Sequence, residues 1–172
     1  MLSLIYGGAA CGKSAFAEAL ALREGGPHLY LATMQPMGED SLRRIERHRR
    51  MRRGRGFETV EWYTDIGSFS PPSDATVLLE CLGNLLANEM FLPEGAGEDA
   101  LEAVCGGLDR LMERCHHLVV VSNDVGRDGF AYTAETLRYI QWLGAINRHL
   151  AAQADRVVEL VCGLPVWMRG EA

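Results

Sequence analysis

Residues 2–24 constrain the fold more than any other stretch of this chain. A short apolar run, Leu2-Ser3-Leu4-Ile5-Tyr6, leads directly into Gly7-Gly8-Ala9-Ala10-Cys11-Gly12-Lys13-Ser14. Ser14 to Glu24 then follows the alanine- and leucine-rich pattern of a helix, stopped by Gly25-Gly26-Pro27. The glycine segment satisfies G-x-x-x-x-G-K-[ST] at every specified position, and strand, glycine loop, helix is the context in which that pattern grips phosphate. Its glycines let successive backbone N–H groups converge on phosphate oxygens, and the helix adds the positive end of its dipole. Lys13 is expected to reach the β- and γ-phosphates, with the Ser14 hydroxyl placed to ligate Mg²⁺. Lys13 is the only lysine in the chain; the remaining 16 basic side chains are arginine. A compact ammonium enters a glycine-walled nest that a planar guanidinium does not enter easily. A lysine used here and nowhere else therefore points to a nucleoside triphosphate.

The rest of the chain alternates strand and helix patterns. His28–Ala32, Thr59–Trp62, Thr76–Glu80, Leu118–Ser122 and Arg156–Cys162 read as strands, and residues 165–168 as an extension of the last or a partner to it. Helical patterns cover Gly38 to about Arg52, Leu82–Phe91, Glu98–Arg114 and Thr133–Ala154. This alternation predicts a largely parallel sheet covered on both faces. The expected architecture is α/β: a P-loop, RecA-like nucleotide-binding fold, mostly parallel sheet flanked by helices, as a single domain over residues 1–172. The nucleotide should sit beyond the carboxyl ends of the strands. Thr76–Glu80 is an apolar run ending in a carboxylate, the pattern of the second acidic element in phosphate-loop proteins, which orders Mg²⁺ or its water shell.

Charge excludes one class of partner. The formal net charge is −6, yet Arg43 to Arg55 holds eight arginines and one glutamate, a local +7, so the remainder carries −13. An acidic protein with one concentrated cationic segment is no nucleic-acid-binding composition. No apolar run approaches the roughly 20 residues of a membrane span, and no signal peptide is evident. The five cysteines are in neither C-x-x-C nor zinc spacing and read as reduced thiols of a cytoplasmic protein. The apolar stretch Leu85–Leu92 offers either subunit contacts or an internal helix.

The loop does not name the reaction, because kinases, GTPases and motor ATPases all use it. An Asn-Lys-x-Asp base-reading element is absent, since there is no second lysine. From the residues alone, a small-molecule kinase without a covalent intermediate and a non-enzymatic nucleotide switch both remain open.

Further segments, taken in order, resemble one family. Beyond the glycine loop these are Tyr30-Leu31-Ala32-Thr33, Arg44-Ile45-x-x-His48-Arg49, Thr59-Val60-Glu61, Leu78-Leu79-Glu80-Cys81-Leu82 followed by Asn88, and Val121-Ser122-Asn123-Asp124-Val125-Gly126. The C-terminal third adds Gly144-x-x-Asn147, Ala154-Asp155-x-Val157 and Gly163-Leu164-Pro165. Together they resemble the bifunctional adenosylcobinamide kinase / adenosylcobinamide-phosphate guanylyltransferase family of cobalamin biosynthesis, over nearly the whole chain. The resemblance implies phosphorylation of the terminal hydroxyl on the aminopropanol arm of adenosylcobinamide by a nucleoside triphosphate, GTP or ATP. It then implies transfer of GMP from GTP onto adenosylcobinamide phosphate through a GMP-histidine intermediate, with Mg²⁺ as the metal and a homo-oligomer, a trimer, as the assembly.

By the same resemblance His48 is the nucleotide-bearing histidine and Lys13 the second catalytic residue. The nucleotide site would comprise Gly7, Gly8, Ala9, Ala10, Cys11, Gly12, Lys13, Ser14, Ala32, Thr33, Met34, Arg49, Arg50, Met51, Arg52, Glu61 and Glu80, with Ser14 and Glu80 toward the metal. Arg44, Arg47, Arg49 and Arg52 fall within one helical turn of His48 and could stabilise charge built up at the α-phosphorus. The plainer alternatives are a solvated strand-end charge for Glu61 and a structural hydrogen-bond acceptor for Glu80. Two departures stand out: Asp124 replaces the usual glutamate of S-N-E-V-G, and residues 126–132 lack the common continuation of that loop.

Overall fold

The computed structural model describes residues 1–171 apart from 37, 40–42, 44, 45, 47–49, 51–53, 127 and 128. Seven strands form one sheet: β1 (Leu2–Gly7), β2 (His28–Ala32), β3 (Phe57–Glu61), β4 (Thr76–Glu80), β5 (His117–Val121), β6 (Arg156–Val161) and β7 (Leu164–Arg169). Their order across the sheet is β3-β2-β4-β5-β1-β6-β7. The first six run parallel, and β7 returns antiparallel on β6. The α/β, mostly parallel arrangement expected from the alternating pattern is the one observed.

Strand side chains alternate between two buried faces, which is why these strands read as continuous apolar runs. On one face Leu2, Leu4, Leu31, Val77, Leu79, Leu118 and Val120 meet α2 (Leu82–Phe91), α3 (Ala100–Arg114) and α4 (Ala134–Gln153). On the other, Ile5, Tyr30, Leu78, Val119 and Val158 meet α1 (Lys13–Ala21) through Ala17, Leu20 and Ala21. Leu82, Leu85 and Leu86 of α2 are wholly buried, each side chain stabilising the fold by roughly 2 kcal/mol. The stretch 85–92 thus falls mostly within a helix, Leu82–Phe91, whose leucines face the core; of the large apolar side chains of α2, Phe91 alone is exposed.

Element ends differ from the sequence pattern for local reasons. α1 stops at Ala21 because the amides of Arg23 and Glu24 bond the carbonyls of Leu20 and Ala21, three residues back, in a tightened last turn. This frees Glu24 to accept from Arg156 Nη1 at 2.7 Å. α3 starts at Ala100 because Gly97–Asp99 form a 3₁₀ turn. Thr133 caps α4, its hydroxyl accepting from the Thr136 amide at 3.3 Å. Trp62 leaves β3 to pack edge-on against Phe69, ring centroids 5.1 Å apart.

One buried polar group sits at the opposite end of the sheet from the glycine loop. His117 is fully buried, with Nε2 paired to Ser3 Oγ at 2.8 Å. Its Nδ1 lies 3.6 Å from Glu24 Oε1, too far for a hydrogen bond. Burial outweighs the carboxylate and pushes the imidazole pKa from 6.5 down to about 4. Because the folded value lies below the unfolded one, the unfolded chain takes up a proton between pH 6.5 and 4 that the fold refuses. Stability should be flat above pH 6.5 and fall by roughly 3 kcal/mol toward pH 4 from this group alone. Urea unfolding from pH 7.5 to 5 should show the first part of that decline, roughly 2 kcal/mol, in the wild type and lose most of it in His117→Gln; an unchanged slope in the variant would contradict the assignment.

Candidate active site

The glycine loop links β1 to α1 at the carboxyl edge of the sheet, between β5 and β6. Gly7 has φ +149°, and a Cβ there would lie 2.7 Å from the Leu160 carbonyl oxygen of β6. Side chains are therefore excluded where the loop begins. Gly12, at φ +97°, turns the chain into α1, a conformation glycine takes without strain. Ala10 adopts a left-handed φ of 57°, a cost of roughly 1 kcal/mol for a non-glycine residue of the kind found where a loop is shaped for a ligand. Lys13 is buried, its Nζ donating to the Gly8 carbonyl at 2.5 Å and lying 3.8 Å from Cys11 Sγ. The ammonium is held over the loop rather than released into solvent.

Glu80 stands at the end of β4, and β5 separates β4 from β1. Across that gap the Ser14 hydroxyl donates to Glu80 Oε1. The other oxygen, Oε2, is buried and has no hydrogen-bond partner among the described residues. A buried carboxylate oxygen left unpaired beside a hydroxyl is costly for a protein alone, and it is a hard-oxygen donor set that suits Mg²⁺. No group of three or more His, Cys, Asp and Glu able to hold a metal occurs among the described residues.

The ends of β2 and β3 lie on the same edge. Ala32 and Met34 are half-buried, whereas Thr33 is buried and occupied by the fold. The Thr33 amide donates to the Glu80 carbonyl at 3.1 Å, and its hydroxyl to the Cys81 carbonyl at 2.9 Å. Its own carbonyl accepts from Asn88 Nδ2 at 2.8 Å, and the same Asn88 nitrogen donates to the Tyr63 carbonyl at 2.9 Å. Glu61 is exposed and accepts from the Tyr63 hydroxyl at 2.9 Å. Burial pushes the Cys81 thiol above its usual range, so it stays protonated and is no nucleophile at neutral pH.

The structure thus brings Gly7 through Ser14, Ala32, Thr33, Met34, Glu61 and Glu80 to one edge. Within the arginine-rich segment, Glu39, Arg43, Glu46 and Arg50 are helical and exposed, and Arg43 pairs with Glu39 at 3.2 Å. His48, Arg44, Arg47, Arg49, Met51 and Arg52 lie outside the described residues. The end of the segment is fixed: Arg55 Nη1 donates to the buried Glu18 of α1 at 2.9 Å, tying it to the helix that the glycine loop starts.

Two polar links at this edge were not legible in the sequence. Tyr6 Oη donates to Asp124 Oδ1 at 2.6 Å, while the Asp124 amide donates to the Gly7 carbonyl at 3.0 Å. Ser122 Oγ donates to Asn147 Oδ1 at 2.6 Å, joining the end of β5 to α4. A polar residue closing an apolar strand, as Tyr6 does, was the available signal for the first.

Comparison with known proteins agrees with this geometry. Residues 3–168 match the family described as cobinamide kinase / cobinamide phosphate guanyltransferase. The chain is similar to the bifunctional adenosylcobalamin biosynthesis protein CobU of Escherichia coli, 32% identical with 96% of this chain and 98% of that protein covered. CobU of Salmonella typhimurium is likewise 32% identical over the same shares of each chain. CobP of Pseudomonas aeruginosa, also named as a bifunctional adenosylcobalamin biosynthesis protein, is 31% identical with 99% of both chains covered. With a phosphate loop at its head, an acidic strand end facing it, and near full-length similarity to these proteins, the chain belongs to the cobinamide kinase / cobinamide phosphate guanyltransferase family.

Proposed function

We propose that this protein phosphorylates the aminopropanol hydroxyl of adenosylcobinamide and then transfers GMP from GTP onto adenosylcobinamide phosphate, using one triphosphate site for both. The observation that carries this reading is the cluster of Lys13, Ser14 and Glu80 at the mouth of the glycine loop. The loop amides and Lys13 neutralise the β- and γ-phosphates, which stabilises transfer of the terminal phosphoryl group. Ser14 Oγ and Glu80 Oε2 would hold Mg²⁺, which when bound neutralises charge on the phosphate oxygens. The loop reads only the polyphosphate and so accepts GTP or ATP for the first step; the second consumes GTP because its guanosine is transferred.

His48 is the nucleophile of the second step in this reading. A neutral imidazole nitrogen attacks the α-phosphorus of GTP, the bond to the α,β-bridging oxygen breaks, and pyrophosphate leaves. A phosphate oxygen of adenosylcobinamide phosphate then attacks the same phosphorus, the P–N bond breaks, and the imidazole is restored. Guanidinium groups near His48 keep it neutral by disfavouring a further positive charge, and they stabilise the charge on the departing pyrophosphate. By the family resemblance, Ala32, Thr33, Met34, Glu61, Arg49, Arg50, Met51 and Arg52 are the further residues assigned to the guanosine and phosphate pocket. All five cysteines are free thiols, which fits a reducing cytoplasm, and the enzyme acts there as a homo-oligomer.

Incubation with GTP labelled at the α-phosphate should leave acid-labile, base-stable label on the wild type. It should be absent in His48→Ala and discharged by adenosylcobinamide phosphate. A wild type that phosphorylates the hydroxyl yet never takes up label would contradict the covalent route. Lys13→Ala should lower both partial reactions by about a hundredfold or more; loss of one alone would mean two separate triphosphate sites.

A further inference from the structure

The proposed reaction pair makes unequal demands on proton chemistry. Phosphoryl transfer to an alcohol requires a group that takes the hydroxyl proton, which in phosphoryl-transfer enzymes is commonly a carboxylate. Guanylyl transfer to a phosphate requires none, because the attacking oxygen is already ionised. Three carboxylates at the carboxyl edge of the sheet are fixed by described hydrogen bonds. Glu80 is engaged by Ser14 and has the buried oxygen suited to a cation. Glu61 ends β3, at the far edge of the sheet order from the glycine loop. Asp124 follows β5, the strand next to β1, and its own amide is bonded to Gly7, the first residue of the loop.

The Asp124 side chain is oriented separately from its main chain. The contact to the loop is made by the Asp124 amide, which any residue would supply. The carboxylate is instead fixed by Tyr6, whose hydroxyl donates to Oδ1 at 2.6 Å. Tyr6 is the last residue before the loop, so the same strand end sets both the phosphate cradle and the direction of the carboxylate. Asp124 is half-buried at the start of a polar stretch. The tyrosine thus sets the direction of a carboxylate beside the loop, while the main-chain bond to Gly7 is independent of that carboxylate.

We infer that Asp124, aimed by Tyr6, is the proton acceptor in phosphorylation of the alcohol and takes no part in guanylyl transfer. This rests on the function proposed above. In the step, the acceptor oxygen bonds to the γ-phosphorus while the bond from that phosphorus to the β,γ-bridging oxygen breaks. The electron pair leaves on the nucleoside diphosphate, and the hydroxyl proton passes to an Asp124 carboxylate oxygen and from there to water. Asp124 is then a catalytic residue and Tyr6 a positioning residue.

The two partial reactions test this separately. Asp124→Asn keeps an oxygen for Tyr6 and the amide bond to Gly7. It should slow phosphorylation of adenosylcobinamide by about a hundredfold or more, yet leave guanylyl transfer onto preformed adenosylcobinamide phosphate within about threefold of wild type. Tyr6→Phe should lower kcat of the first reaction by about tenfold with KM for the nucleotide unchanged. Equal loss of both reactions in Asp124→Asn would make the residue a support for the loop and overturn the inference, as would no loss in either. A wild type that guanylylates the phosphate but cannot phosphorylate the alcohol would instead remove the kinase half of the proposed function, and this inference with it.

Discussion

The link between Ser14 and Glu80 is the interaction on which the site depends. It joins the start of α1 to the end of β4 across an intervening strand, so it exists only when β1, β5 and β4 are in register. The strand order makes the link possible. The phosphate loop leaves β1, the acidic end belongs to β4, and β5 between them ends in the segment that returns Asp124 to Gly7. Parallel strands place all these ends on one edge. The buried Oε2 of Glu80 completes the picture, because an unpaired carboxylate oxygen in that position is stabilised by a cation and destabilising without one.

The loop is held from its other side by main-chain crowding. Gly7 passes so close to the Leu160 carbonyl that a single methyl group would collide with it. The glycine pattern therefore does two things: it exposes amides to phosphate and lets β1 lie against β6 where the loop departs. The polar groups at the opposite end of the sheet have no comparable function. Ser3 pairs with His117 Nε2 and Arg156 with Glu24, while His117 Nδ1 is left without a hydrogen bond, and their effect is on the pH range of stability.

Much of this was legible in the sequence, and the physical reasons are specific. Strands buried on both faces announce themselves as apolar runs, so β2 and β4 fall where the pattern puts them. The loop from Gly7 to Ser14 was legible because its pattern is contiguous in the sequence. Helix ends were less legible: α1 ends in a tightened last turn made by the amides of Arg23 and Glu24, and Glu24 then meets Arg156, 132 residues away. The site was read as a set of residues but not as a network. That Thr33 is occupied by Cys81 and Asn88, or that Tyr6 aims Asp124, follows from strand order, which no local pattern encodes. An apolar helix such as Leu82–Phe91 reads the same whether it faces a partner or its own core, and only the packing shows that Leu82, Leu85 and Leu86 face the core.

In the proposed function, one triphosphate site is built where the glycine loop meets Glu80. The most direct measurement is an anomalous difference map from crystals grown with Mn²⁺ and a GTP analogue that cannot be cleaved between the β- and γ-phosphates. A single strong metal peak is expected within ligating reach of both Ser14 Oγ and Glu80, with the β- and γ-phosphates on the amides of residues 8–14. A metal peak away from Glu80, or a triphosphate bound outside that loop, would contradict it.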